Sequence, residues 1–288
     1  MTLPSTDTVV TYPAGSLTGT ATVLHVEPTA GGLSAVVLDA TPCHPVDAAW
    51  PDQNADRAEL SWPGGSSTVV NCVVAASDGS ALYLGSDIPV RKGTEGWAFV
   101  VAHLVADAPP IGQAVSIAVD AEYRTAHSLG HTGCHLASLA LNRAMAARWS
   151  KETDTDHLGS PNFDAAANAS SRILPRGSRD TYRLNKSLRR KGFVTDGLAE
   201  ELAAIQDAIN TCLAGWIASD APVHVDCDGE RLTERRYWVC SLPEGEARIA
   251  CGGTHATSLG ELGALRATLS LSDDGGTSVL TMETGIGN

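Results

Sequence analysis

Two short segments hold the residues best suited to chemistry. His131-Thr132-Gly133-Cys134-His135 and Cys251-Gly252-Gly253-Thr254-His255 each carry two borderline-soft donors spaced i, i+4. Two such pairs make up the four-coordinate N/S set that zinc favours, with a position open to water in a catalytic site. On a helix, His127, His131 and His135 form an i, i+4, i+8 stripe along one face. Such a stripe reads equally as a ligand row or as a half-buried polar seam. The second segment shifts that balance, because Gly252-Gly253 permits a tight loop in which thiolate and imidazole converge. Five candidates, His127, His131, His135, Cys251 and His255, compete for at most four positions. Cys134 points about 100° away from His135 around a helix and reads as a small buried hydrophobe. His44, His103, His157 and His224 have no partner at ligand spacing.

These residues need elements to hold them. Arg124 to Trp149 lacks proline, and Leu136, Leu139, Ala140, Ala144 and Met145 recur at three- and four-residue spacings, which predicts a helix. Leu202, Ile205, Ile209, Leu213 and Trp216 predict a second amphipathic helix over 198–217. A hairpin is expected around Ile173-Leu174, the turn-like Pro175-Arg176-Gly177-Ser178 and Thr181–Leu184. Ala221–Val225, Arg236–Ser241 and Leu265–Leu271 read as strands, with Asp226-Cys227-Asp228 ending the first of them. Residues 1–118 are β-rich, with Thr20–Val26, Leu33–Leu38, Ser67–Val74 and Trp97–His103 separated by Gly, Pro, Asp and Ser. The fold class expected is α+β. A small N-terminal β-barrel over 1–118 is followed, over 119–288, by an α/β domain with helices on one face of an antiparallel sheet.

Composition sets limits on function. The 288 residues are 43% hydrophobic, enough for a packed core, and no run approaches the roughly 20 apolar residues that span a bilayer. Seven scattered cysteines read as reduced thiols, and the N-terminal stretch lacks the basic and apolar regions of a secretory signal. Both point to a cytoplasmic protein with no membrane partner. The net charge of −13 argues against loose nucleic-acid binding over the whole surface, DNA included. Yet residues 172–191 hold 8 of the 20 Lys and Arg against a single acid, Asp180. That cluster reads either as a solvated surface or as a local phosphate-binding face. Tyr182, beside Arg179 and Arg183, is the one aromatic placed to stack a base within it.

The motifs resemble a known family. His131-Thr132-Gly133-Cys134-His135-Leu136 is similar to the HTxxHL helix of alanyl-tRNA synthetase editing domains and of the free-standing alanyl-tRNA editing (AlaX) proteins. Cys251-Gly252-Gly253-Thr254-His255 with Gly260-Glu261-Leu262-Gly263 resembles the family's CGGTH…GEIG segment. Ser219–Val225 and Val37-Leu38-Asp39-Ala40-Thr41 look like its PVxV and VLDxT strands. The threonyl/alanyl second additional domain shares this architecture. The resemblance selects His131, His135, Cys251 and His255 as ligands of one zinc ion and as the catalytic set. It leaves His127 to support a ligand from behind or to touch RNA.

The resemblance also implies a function. The chain is expected to be a trans-editing aminoacyl-tRNA deacylase that hydrolyses the ester of a mischarged tRNA, Ser- or Gly-tRNA(Ala) first. Gly252, Gly253, Thr254 and His44 are its expected substrate contacts, and Arg183, Lys186, Arg189, Arg190 and Lys191 its RNA contacts. One departure bears on specificity. Where the family has a GGGQ-type loop, this chain reads His44-Pro45-Val46-Asp47-Ala48-Ala49-Trp50-Pro51, so three glycines and a glutamine are expected to be lost. Leu259 stands where the family often has threonine. The altered loop keeps open a deacylase for tRNA(Thr) charged with an analogue such as fluorothreonine. Outside editing stand a metallohydrolase of small amino-acid esters or amides without RNA, and a non-catalytic zinc-stabilised RNA-binding module.

Overall fold

The computed structural model describes residues 3–287. The chain forms two compact units. The first holds the residues up to Thr125 together with 225–236 and 252–254. The second holds 126–224, 237–251 and the chain from His255 onward. The fold is mixed α+β, with four α-helices and a closed six-stranded antiparallel barrel among the described residues.

The strands of the first unit are β1 Val9–Val10, β2 Thr18–Pro28, β3 Ser34–Leu38, β4 Ala40–Thr41, β5 Ala58–Trp62, β6 Gly65–Ser77, β7 Leu82–Leu84, β8 Ala98–Val105 and β9 Ala114–Val119. They pair in the order β5-β9-β2-β3-β8-β6, and β5 pairs again with β6 to close the ring. Closure removes the sheet edges that would otherwise expose unpaired backbone. In β9, Val115, Ile117 and Val119 point inward and their neighbours outward. In β3 and β8 the apolar run is continuous because both faces are covered. Val36, Leu38, Phe99 and Val101 join the main core, while Ala35, Val37, Val100 and Ala102 form a second cluster. His103 belongs to this interior, its Nε2 2.8 Å from Thr41 Oγ1 and its Nδ1 3.1 Å from Val36 O.

Helix α1, Ala121–Ala144, begins in the first unit and runs on into the second. Asp120 starts it, its carboxylate accepting the Tyr123 N–H at 3.0 Å. Its first turn is pinned by Arg124. The guanidinium Nε donates to Asp56 Oδ1 at 2.8 Å, and Nη2 donates to Pro42 O at 2.7 Å and to the other Asp56 oxygen. The helix ends five residues before the expected Trp149. Past Met145 the chain tightens into a 3₁₀ turn over Ala146–Arg148, where Arg148 bonds Val194 O, Asp196 O and the Glu201 carboxylate.

The second unit continues with α2 Phe163–Ala167, β10 Asn168–Leu174, β11 Gly177–Arg183, α3 Lys186–Arg190, α4 Leu198–Ala218, β12 Val223–Cys227, β13 Arg236–Leu242, β14 Gly245–Ala250, β15 Ala264–Asp274 and β16 Thr277–Gly287. The expected hairpin is β10–β11, turning through Pro175 and Arg176. Arg176 adopts φ 60, the left-handed conformation that a type II turn imposes there. The four-stranded sheet runs β10-β11-β16-β15 and is antiparallel throughout. Helix α4 buries Ile205, Ile209, Leu213 and Trp216 and lies along β15. Its Asn210 amide bonds both backbone groups of Ala267, and Gln206 accepts the Leu269 N–H. The otherwise open edge of β15 is thereby satisfied by side chains.

Small residues let α1 lie against this sheet. A Cβ on Gly130 would meet Leu174 O at 2.2 Å and Gly177 O at 2.5 Å. One on Gly177 would strike Thr284 O at 2.3 Å. The helix therefore touches the hairpin with bare backbone one residue before His131.

Candidate metal centre

His131, His135, Cys251 and His255 come together in the second unit, their ligand atoms all within 4.8 Å of one another. Cys251 Sγ lies 3.3 Å from His131 Nε2 and 3.3 Å from His255 Nε2. The imidazole centroids of His131 and His135 are 4.8 Å apart, and that of His255 is 4.4 Å from His131. A tetrahedron with Zn–N and Zn–S bonds near 2.0–2.3 Å has edges of about 3.5 Å, so these donors are close to the spacing one ion needs.

The protonation chemistry agrees with that fit. His135 Nε2 is buried without a hydrogen-bond partner, the condition of a nitrogen that has a lone pair to give. Burial first, then the neighbouring His131 imidazole, holds the His135 pKa well below its ordinary value. The neutral ring that results is the ligating form. Trp238 on β13 walls the cluster, its ring centroid 5.2 Å from that of His135.

The helix supplies the first pair because positions 131 and 135 are one turn apart. The second pair sits on a short bend whose shape is fixed from several sides. Thr132 Oγ1 lies 3.3 Å from His255 Nδ1 and accepts the Ala256 N–H at 3.0 Å. A donor Nδ1–H toward Thr132 leaves His255 Nε2 facing the thiolate. Past the bend, Leu259–Leu262 is a 3₁₀ turn with a capping box between Ser258 and Glu261. Glu261 accepts from Thr257 N, Thr257 Oγ1 and Ser258 N, and Gly260 N donates to Asp220. The Gly-Glu-Leu-Gly motif is thus a brace for the bend. Leu259 is fully buried core.

Other sequence candidates lie elsewhere. His127, one turn before His131, is 2% exposed and presents no surface to RNA. Cys134 faces the sheet, its Sγ 3.5 Å from both oxygens of Asp180, and burial pushes its thiol pKa well up. Tyr182 is fully buried and donates its hydroxyl to Asp164, so it cannot stack a base. The packing of β11 against the core explains why: Tyr182 points to the inner face and Arg183 to the outer. In the first unit His44 is buried, edge-on to Tyr12 with ring centroids 5.1 Å apart, and burial pushes its imidazole down to about 4. The basic residues 172, 176, 179, 183, 186 and 189–191 are all exposed. Arg172 and Arg179 are direct partners across β10 and β11, Arg183 pairs with Asp274 at 2.8 Å, and Lys186, Arg189 and Arg190 lie on α3.

The sequence reading missed two polar residues and misjudged a loop. Thr132 was read only as part of a motif. The glutamine expected to be lost is present at the end of the same loop as Gln53, 2% exposed. Its Nε2 donates to Thr254 Oγ1 at 2.9 Å and its Oε1 accepts the Thr254 N–H at 3.1 Å. An extended loop delivers a carboxamide that the altered residues at 47–50 had seemed to remove.

No model of a known protein family matches the chain. Among the described residues, no helix is long and apolar enough to cross a membrane.

Proposed function

We propose that the chain is a trans-editing aminoacyl-tRNA deacylase, cleaving the ester between a wrongly attached amino acid and the 3′ end of a tRNA. The observation that carries this reading is the meeting of His131 and His135 with Cys251 and His255 around one point. This is the ligand set implied by the resemblance to alanyl-tRNA editing proteins. The finer architecture, a barrel-like domain followed by a domain of the threonyl/alanyl second additional type, belongs to the same proposal.

The four donors suit zinc, which when bound supplies Lewis acidity toward the ester carbonyl and eases deprotonation of a nearby water. The chain's own residues have the remaining work. His135, Cys251 and His255 are each partly exposed, so a water and an ester can approach them. The water oxygen adds to the carbonyl carbon and its proton passes to the departing ribose oxygen. Amino acid and intact tRNA are the products, and no covalent intermediate is required. The oxyanion needs donors at the bend. Gln53 takes the Thr254 N–H, which removes that amide and leaves the exposed Gly252 N–H and the Thr254 hydroxyl proton.

Arg183, Lys186, Arg189, Arg190 and Lys191 are assigned to the RNA backbone, since all five are exposed on a chain that is otherwise acidic. The substrates assigned first are Ser-tRNA(Ala) and Gly-tRNA(Ala), and fluorothreonyl-tRNA(Thr) second because of the changed 44–53 loop. The test is a deacylation panel of wild type and His131→Ala against Ser-, Gly-, Ala-, Thr- and fluorothreonine-charged tRNAs, with zinc content measured on both proteins. Turnover of one panel member, lost at least a hundredfold in His131→Ala together with zinc, supports the reading. Equal and negligible turnover of every RNA ester overturns it. Hydrolysis of small esters with no salt-dependent preference for RNA would place the chain among RNA-independent metallohydrolases instead.

A further inference from the structure

We infer that Trp50 is a stacking platform for the 3′-terminal nucleobase of the substrate, an inference that rests on the deacylase reading. Trp50 is 67% exposed, more than any other large hydrophobic side chain among the described residues. Its exposure does not serve its polar atom, because Nε1 already donates to Asp52 Oδ2 at 2.9 Å. Its backbone N–H donates to Asp47 O at 3.0 Å, and Asp47 in turn accepts the Ala49 N–H and pairs with Lys92 at 2.5 Å. The indole is therefore held by its own loop with an apolar surface turned to solvent.

The place of that surface names the occupant. Three residues on, Gln53 grips Thr254, which immediately precedes the proposed ligand His255. Three residues of chain reach about 10 Å at most, roughly the length of a nucleoside with its ester arm. A base joined through ribose to an ester near the bend thus falls within range of the indole. Any base offers a π-face, and such stacking tolerates sequence. The charged neighbours Asp47, Asp52 and Lys92 differ from the apolar surround of a protein-binding hot spot.

The experiment uses the full chain with a mischarged tRNA and with the methyl ester of the same amino acid, which carries no nucleoside. In Trp50→Ala the KM for aminoacyl-tRNA is expected to rise about tenfold with kcat nearly unchanged, while methyl-ester hydrolysis stays at the wild-type rate. Trp50→Phe should recover most of the loss. In parallel, AMP should quench wild-type tryptophan emission and fail to quench the Trp50→Phe protein. An unchanged KM in Trp50→Ala overturns the inference, and so does an equal loss on both esters, which would mean a distorted loop. If wild type cleaves no RNA ester at all, the deacylase reading fails first, and AMP quenching that is absent or independent of Trp50 removes the platform as well.

Discussion

Gln53 and Thr254 are bound at both polar ends of one carboxamide, although 201 positions separate them in the chain. Gln53→Ala leaves the buried Thr254 N–H without this acceptor. A loss of about 1–3 kcal/mol is expected, read as a lower urea midpoint. Thr254→Val removes only the hydroxyl contact and should cost less. The double variant should fall short of the sum of the singles, and strict additivity would show that the two residues act independently.

Thr132 orients His255 without touching the proposed ion. Thr132→Val keeps the volume but removes the oxygen that faces Nδ1 and receives the Ala256 N–H. Zinc affinity, measured by competition with a chelating dye, should drop about 10–100-fold with the four donors intact. Cys251→Ser should release the metal more completely. Wild-type affinity in Thr132→Val would show that His255 is oriented by other contacts.

Arg124 and Asp56 form an ion pair with 4% and 3% exposure, and Asp56 also accepts the His44 N–H at 2.5 Å. Removing either partner strands a buried charge. Asp56→Ala and Arg124→Ala are each expected to destabilise by about 3–5 kcal/mol in denaturant unfolding. A loss below about 1 kcal/mol in both would mean that water reaches the pair.

Two buried groups give the stability opposite dependences on acid. Burial moves His44 from an ordinary 6.5 to about 4. The unfolded chain therefore gains a proton that the native chain refuses, and stability falls by about 3 kcal/mol as pH drops from 6.5 to 4. Asp180 moves the other way, from 3.8 to about 6. Burial is the leading cause, partly offset by hydrogen bonds from Ser171 and Ser178. The native chain protonates first there, so stability rises as pH drops through 6 toward 3.8. Urea unfolding at pH 7, 6 and 5 should show Asp180→Asn with a steeper acid loss than wild type. His44→Gln should show a shallower one. Parallel curves for all three proteins would contradict both assignments.

What could be read from the sequence was what is local. The helix carrying His131 and His135, the 198–217 helix and the Pro175-Arg176 turn each write their own periodicity or turn chemistry into consecutive residues. Strand β16 did not, because Thr277–Gly287 mixes glycine, threonine and glutamate along a strand with one face exposed. It acquires its conformation from β11 and β15 on either side. Closure of the barrel through β5 and β6 likewise depends on pairing, which single-strand patterns do not encode. Within the site, both donor pairs were visible as i, i+4 spacings. Gln53 was not, since a glutamine in a polar loop looks like any other until its distant partner is known.

Cys251 and His255 bracket only three residues, and the last of these is the one that Gln53 grips. An ion seized by both donors staples the bend into a five-residue ring. Its arrival or departure then becomes a pull transmitted through Thr254 to the barrel loop that ends in Gln53. Occupancy of the metal and tension in that loop are in this sense one variable, which either end can set.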